Sequence, residues 1–70
     1  MDPISERIEN MRLYRGLSAR TLATLSGTGQ HRYGRRVRGE GTWKTKDLAA
    51  IARILRVRVE WLTDVNVDAA

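Results

Sequence analysis

Apolar residues recur along this chain at spacings of three and four in four separate stretches, each closed by a glycine or a tight turn. In the first stretch Ile4, Ile8 and Met11 share one face, with Leu13 and Tyr14 at its edge. Asp2 is placed to cap that helix, and Pro3 takes the first helical position, where its missing N–H costs nothing. Gly16 supplies the left-handed residue that ends it, so the pattern predicts a helix from Pro3 to Arg15. Ser18 reads as the next N-cap, with Leu17 before it and Leu22 four positions after it, the spacing of a hydrophobic staple. This second helix carries Leu22, Ala23 and Leu25 and stops at Ser26 and Gly27. A third helix, Gln30 to Arg38, has Tyr33 and Val37 as its only apolar pair and ends at Gly39, so it buries one narrow stripe. After a loop from Glu40 to Trp43, Thr45 is the expected cap of a fourth helix, with Asp47 in its electropositive first turn. Leu48, Ile51, Ala52 and Leu55 follow the helical period most cleanly and make this the core helix. A tight end at Arg56 and Val57 leaves room for one more turn, Val59 to Leu62, carrying Trp61.

Composition narrows this to one small all-α domain, residues 1–63, with a tail over 64–70. A chain of 70 residues has little core to spend, and with no cysteine and a single histidine it has neither a disulfide nor a zinc site to compensate. The apolar stretches are too short to span a membrane, and Met1 to Glu6 lacks the order of a signal peptide. A cytoplasmic protein is expected. Charge adds a partner: the net charge is +5, yet twelve of the thirteen basic residues lie between Arg12 and Arg58, against only Glu40 and Asp47 there. Both ends are acidic, so the middle of the chain presents a field suited to a polyanion.

Two short helices joined by a turn containing glycine form the helix-turn-helix arrangement, whose second helix lies in the DNA major groove. The run Leu17-Ser18-Ala19-Arg20-Thr21-Leu22-Ala23-Thr24-Leu25-Ser26-Gly27-Thr28-Gly29-Gln30 resembles the Cro and lambda-repressor family. In that family a Leu-Ser start, an alanine buried between the two helices and a turn glycine four residues later recur, and Ala23 and Gly27 match them. The resemblance continues through Gly34 and Gly39 to Leu48, Ile51, Ala52, Ile54, Leu55, Val57, Val59, Glu60 and Leu62. It implies a compact lambda-repressor-like DNA-binding domain of four helices plus a short C-terminal turn of helix. It also implies a phage-type repressor or Cro protein that occupies an operator on double-stranded DNA in a bacterial host cell and so regulates transcription. Three positions depart from the family: Ala19 replaces a glutamine that often holds a phosphate, Thr28 replaces a branched apolar residue, and Arg36 replaces a residue that is often apolar. An Arg36 beside the core has to carry its charge to solvent or phosphate along a packed stem.

On a wheel of about 100° per residue, centring the buried stripe of the third helix between Tyr33 and Val37 turns His31, Arg35 and Arg38 outward, with Arg32 flanking them. Gln30 stands at the helix start, where relatives insert a side chain into the groove. Its amide can bond adenine N6 and N7, while the Arg35 fork matches guanine O6 and N7, a contact worth roughly 1–3 kcal/mol of discrimination. Gln30, His31, Arg32 and Arg35 are thus the candidate base readers, weighed against a merely solvated basic face. Ser18 and Arg20 at the start of the second helix, Arg36 and Arg38 on the third, and Thr42, Lys44 and Lys46 before the fourth are candidate phosphate contacts. Gly34 inside a helix calls for a close approach of DNA or of the second helix, or is simply tolerated. Trp43 is expected in the core rather than flat against a sugar-phosphate backbone, and Trp61 either caps the core or offers a patch to a second subunit.

The competing reading is a helix-turn-helix protein-interaction module, an antitoxin or anti-repressor, although a basic recognition face lacks the apolar anchors such an interface uses. An enzyme is not expected: the carboxylates are scattered, the histidine has no carboxylate beside it, and no glycine-rich phosphate loop follows a strand. Neither cofactor, metal, membrane nor small-molecule substrate is implied, and the exposed aromatics that stack RNA bases are missing from the basic face. Lambda-type repressors dimerise through a further helix or domain, for which this chain is expected to end too soon. Trp61, Leu62, Val65 and Val67 are the remaining apolar surface, and Val65 and Val67 alternate with Asp64, Asn66 and Asp68 as in a short pairing strand. A weak homodimer, completed on DNA, is expected.

Overall fold

Asp2 starts the first helix as its position requires: its carboxylate accepts the Ser5 backbone N–H at 2.9 Å and the Ser5 hydroxyl at 2.7 Å. The computed structural model describes residues 1–64. Within them lie α1 (Pro3–Tyr14), α2 (Ala19–Leu25), α3 (Gln30–Val37), α4 (Thr45–Leu55) and α5 (Val59–Thr63), with no strand among the described residues. The protein is an all-helical globule. None of these helices is long and apolar enough to cross a membrane.

Helix ends follow local rules, with small shifts. Arg15 and Arg38, expected as the last helical residues, are instead the C-caps of α1 and α3. Thr45 is already helical, and the cap position of α4 falls to Lys44, whose ammonium can accept nothing, so α4 begins without a side-chain cap. Its first turn is held instead by burial of Leu48 and by the ion pair of Asp47 with Arg32. The Val65 and Val67 pairing strand lies outside the described residues.

The periodic face of α4 is the centre of the core: Leu48, Ile51, Ala52 and Leu55 are buried together with Ile8, Leu22, Ala23, Tyr33, Trp43 and Leu62. α4 packs against α1, α2 and α5, while α1 also meets α3 and α2 meets α3. Trp43 joins three parts of this arrangement from its loop. Its ring meets Tyr33 edge-on at 5.5 Å, and its indole N–H donates to the Ser5 hydroxyl at 2.9 Å. The Ser5 hydroxyl also lies 3.3 Å from the Arg36 carbonyl, so the start of α1 and the end of α3 share one buried polar junction.

α4 ends on Arg56, a non-glycine residue with φ of +61° and ψ of +43°. A side chain in that left-handed region costs roughly 1–2 kcal/mol, which glycine avoids while losing some unfolded-state entropy. Arg56→Gly is therefore expected to stabilise the fold by about 0.5–1 kcal/mol in urea denaturation. A loss of stability would show that the arginine side chain contributes more than its backbone strain costs.

Candidate nucleic-acid interface

The joint between α2 and α3 is tight and internally satisfied. Ala23 is fully buried, and its carbonyl accepts the Gly29 N–H at 3.0 Å, which draws the start of α3 back over the end of α2. Thr28 is buried too, and its hydroxyl oxygen accepts from the Ser26 hydroxyl at 3.0 Å. That bond explains how a threonine occupies a position expected to be apolar: its polar atom is partnered inside the turn.

Rotation of α3 about its axis is fixed from below. Tyr33 is buried and its hydroxyl donates to Glu9 at 2.6 Å, while Arg12 binds the same carboxylate through two nitrogens at 3.0 and 2.8 Å. The bond from Arg12 holds the Glu9 carboxyl below its ordinary range, with the Tyr33 hydroxyl adding to the effect against burial. Burial, with Glu9 beside it, pushes the Tyr33 phenol upward. With Tyr33 and half-buried Val37 turned inward, His31, Arg35 and Arg38 are exposed on the other side of α3, and Gln30 is exposed at its N-terminal end.

Two of the expected contact residues are engaged elsewhere. Arg32 does not stand freely beside the outward face: it is half-buried, and its guanidinium bonds the Asp47 carboxylate of α4 at 2.9 Å. Asp47 is only 3 % exposed, and a carboxylate that far from water needs a counter-charge, which the flanking position of Arg32 lets it supply. Arg36 keeps its stem packed but turns its charge onto the chain rather than outward, donating to the Glu40 carbonyl at 2.7 Å. Its guanidinium lies across Gly41, where a Cβ would collide with it and where φ is +91°.

Glu40, an acidic loop residue outside the expected contact set, sits among the outward arginines. Gly39, at φ +88°, reverses the chain after α3, so that the Gly39 N–H reaches the Arg36 carbonyl at 3.0 Å and the Glu40 N–H the Arg35 carbonyl at 2.8 Å. This closure folds Glu40 back along the last turn, with its carboxylate 3.0 Å from Arg38 Nε and 3.7 Å from Arg35 Nε. The Arg38 hydrogen bond and charge, then the charges of Arg35 and His31, hold the Glu40 carboxyl below its usual range. Gly39 was the available signal, since a glycine just past a helix end is what brings the following residue back over the helix.

Among the phosphate candidates, Arg20, Thr42, Lys44 and Lys46 are exposed. Ser18 is exposed as well, but its hydroxyl oxygen accepts the Thr21 N–H at 3.0 Å and is committed to capping α2. An open cleft of about 140 Å³ separates Ala19 and Arg20 from Gln30, Tyr33 and Gly34. A methyl group at Gly34 would meet only the movable end of Arg38, at 3.3 Å, so packing between helices does not demand glycine there.

The defining class is accordingly an all-helical globule with a short helix pair whose second member turns a basic, polar side outward. Compared with models of known families, with curated proteins and with solved structures, the chain matches none.

Proposed function

We propose that the chain is a sequence-specific double-stranded DNA-binding transcriptional regulator of the Cro and lambda-repressor type. In this reading the fold is lambda-repressor-like, α2 and α3 are the helix-turn-helix, and α3 enters the major groove of an operator. The observation that carries it is the one-sided burial of α3, which leaves Gln30, His31, Arg35 and Arg38 exposed on a helix following a short turn from α2. Gln30, His31 and Arg35 read bases. Arg38, Arg20, Thr42, Lys44 and Lys46 hold phosphates, and Arg32 and Arg36 help from positions already tied to the protein. The protein acts on DNA in the cytoplasm, needs no cofactor or metal, catalyses nothing, and pairs weakly with a second copy when two half-sites are present.

A second reading has one observation in its favour. Leu13, Tyr14 and Leu25 are 64, 78 and 61 % exposed, and this apolar surface would suit a helix-turn-helix module that binds protein.

The test is titration of the chain and two variants against random duplexes and against sites selected from a random pool. Binding should weaken steeply with salt, with a log–log slope on the order of −4 to −7. Arg35→Ala should cost roughly 1–3 kcal/mol on the selected site and relax preference at one position, whereas Lys44→Ala should weaken all sequences alike. Equal losses on selected and random DNA for both variants would remove α3 as the reader. No binding to any duplex would favour the protein-binding module.

A further inference from the structure

The outward side of α3 is basic but not anion-free. Arg35 and Arg38 are half-exposed or more, with side chains 50 and 61 % accessible; Arg38 Nε donates to one oxygen of the Glu40 carboxylate at 3.0 Å, and Arg35 Nε lies 3.7 Å from the other. Glu40 is itself 53 % accessible and, with Asp47 buried on α4, is one of only two acidic residues between Arg12 and Arg58. Its place is not left to a flexible side chain alone, because the main-chain closure through Gly39 holds its backbone against the last turn of α3. One carboxylate therefore presents two acceptors to two arginines, as the oxygens of a phosphate or the O6 and N7 of a guanine edge would.

We propose that Glu40 is an internal anion that occupies Arg35 and Arg38 until DNA replaces it, and so sets how tightly this face takes a duplex. The inference rests on the DNA-binding reading above and names the residue that tunes it. Two costs follow from the geometry. DNA competes with Glu40 for those two guanidinium groups, and a displaced carboxylate stays beside the polyanion. Exposed ion pairs are individually weak and screened by salt, so the effect is a tuning of affinity that shrinks as ionic strength rises.

The test uses the full chain, a short fluorescent duplex of random sequence and low salt. Glu40→Gln keeps the side-chain size and the main-chain closure but loses the charge, and circular dichroism checks that the helices persist. Glu60→Gln, on α5, makes the same charge change on a helix packed against α1 and α4 and controls for long-range attraction. Glu40→Gln is expected to bind about two- to fivefold more tightly than Glu60→Gln, with the advantage fading at high salt. In an Arg38→Ala background the advantage should fall to less than half. Equal affinities of the two Gln variants, or an advantage untouched by Arg38→Ala, would overturn the proposal while leaving DNA binding intact. Failure of the unsubstituted chain to bind the duplex would remove both.

Discussion

Trp43→Ala is expected to remove about 3–5 kcal/mol of the stability of this protein, a large fraction of the total. Removing a buried tryptophan typically costs about 3–5 kcal/mol, and a domain of this length usually holds only about 4–10 kcal/mol in all. Trp43 is 8 % exposed and does more than fill volume. Its ring edge seats Tyr33 of α3, and its N–H satisfies the Ser5 hydroxyl at the start of α1. The substitution therefore opens a cavity beneath α3 and weakens a buried polar junction at once. Trp43→Phe separates the two contributions: a smaller ring stays beside Tyr33 while the bond to Ser5 is lost, for an expected cost of about 1–2 kcal/mol. Urea denaturation followed by circular dichroism measures both, and does not depend on the fluorescence of the remaining Trp61. A Trp43→Ala protein within 1 kcal/mol of the unsubstituted chain would mean that the loop tryptophan is not part of the core.

Arg32→Ala is expected to cost about 2–4 kcal/mol, more than Asp47→Asn. The asymmetry follows from where each partner sits. Asp47 is 3 % exposed, so deleting the arginine strands a carboxylate away from water, whereas the Arg32 side chain is 31 % exposed and can turn to solvent when the carboxylate goes. Combining the two substitutions should restore part of the loss, because the stranded charge is gone. The same pair bears on DNA. Asp47→Asn releases Arg32 toward the outward side of α3, and duplex affinity should rise even as stability falls slightly. Additive losses in the double variant would show that the two residues do not depend on each other.

The helices were legible in the sequence because their signals are local. Asp2 and Ser18 cap as their positions demand, and Gly16, Gly27 and Gly39 stand where each helix turns away. The period of Leu48, Ile51, Ala52 and Leu55 marks the core helix, and Tyr33 with Val37 marks the inward side of α3, which is why His31, Arg35 and Arg38 are legible as exposed while Arg32, expected to flank them, is half-buried. Trp43 was placed in the core from the size of the domain alone.

Arginine is the residue for which local pattern stops being enough. A helical wheel assigns Arg32 a direction to within the reach of its own side chain, and that reach spans both the solvent and the rim of the core. Only the packing of α4 decided the matter, by burying Asp47 where Arg32 was the available counter-charge. Arg36 likewise could carry its charge outward or along the chain, and the bend at Gly41 gave it a place to lie. The carboxylates show the same division. Glu9 and Arg12 sit three residues apart on one helix, a spacing visible in the sequence, but the Tyr33 hydroxyl that joins them comes from 24 positions away. The sequence by itself thus determined where the helices run and which sides of them are apolar, since these depend on neighbours within a turn. The tertiary structure decided which charges are free and which are held, since an ion pair depends on what distant segments bring within a few ångströms.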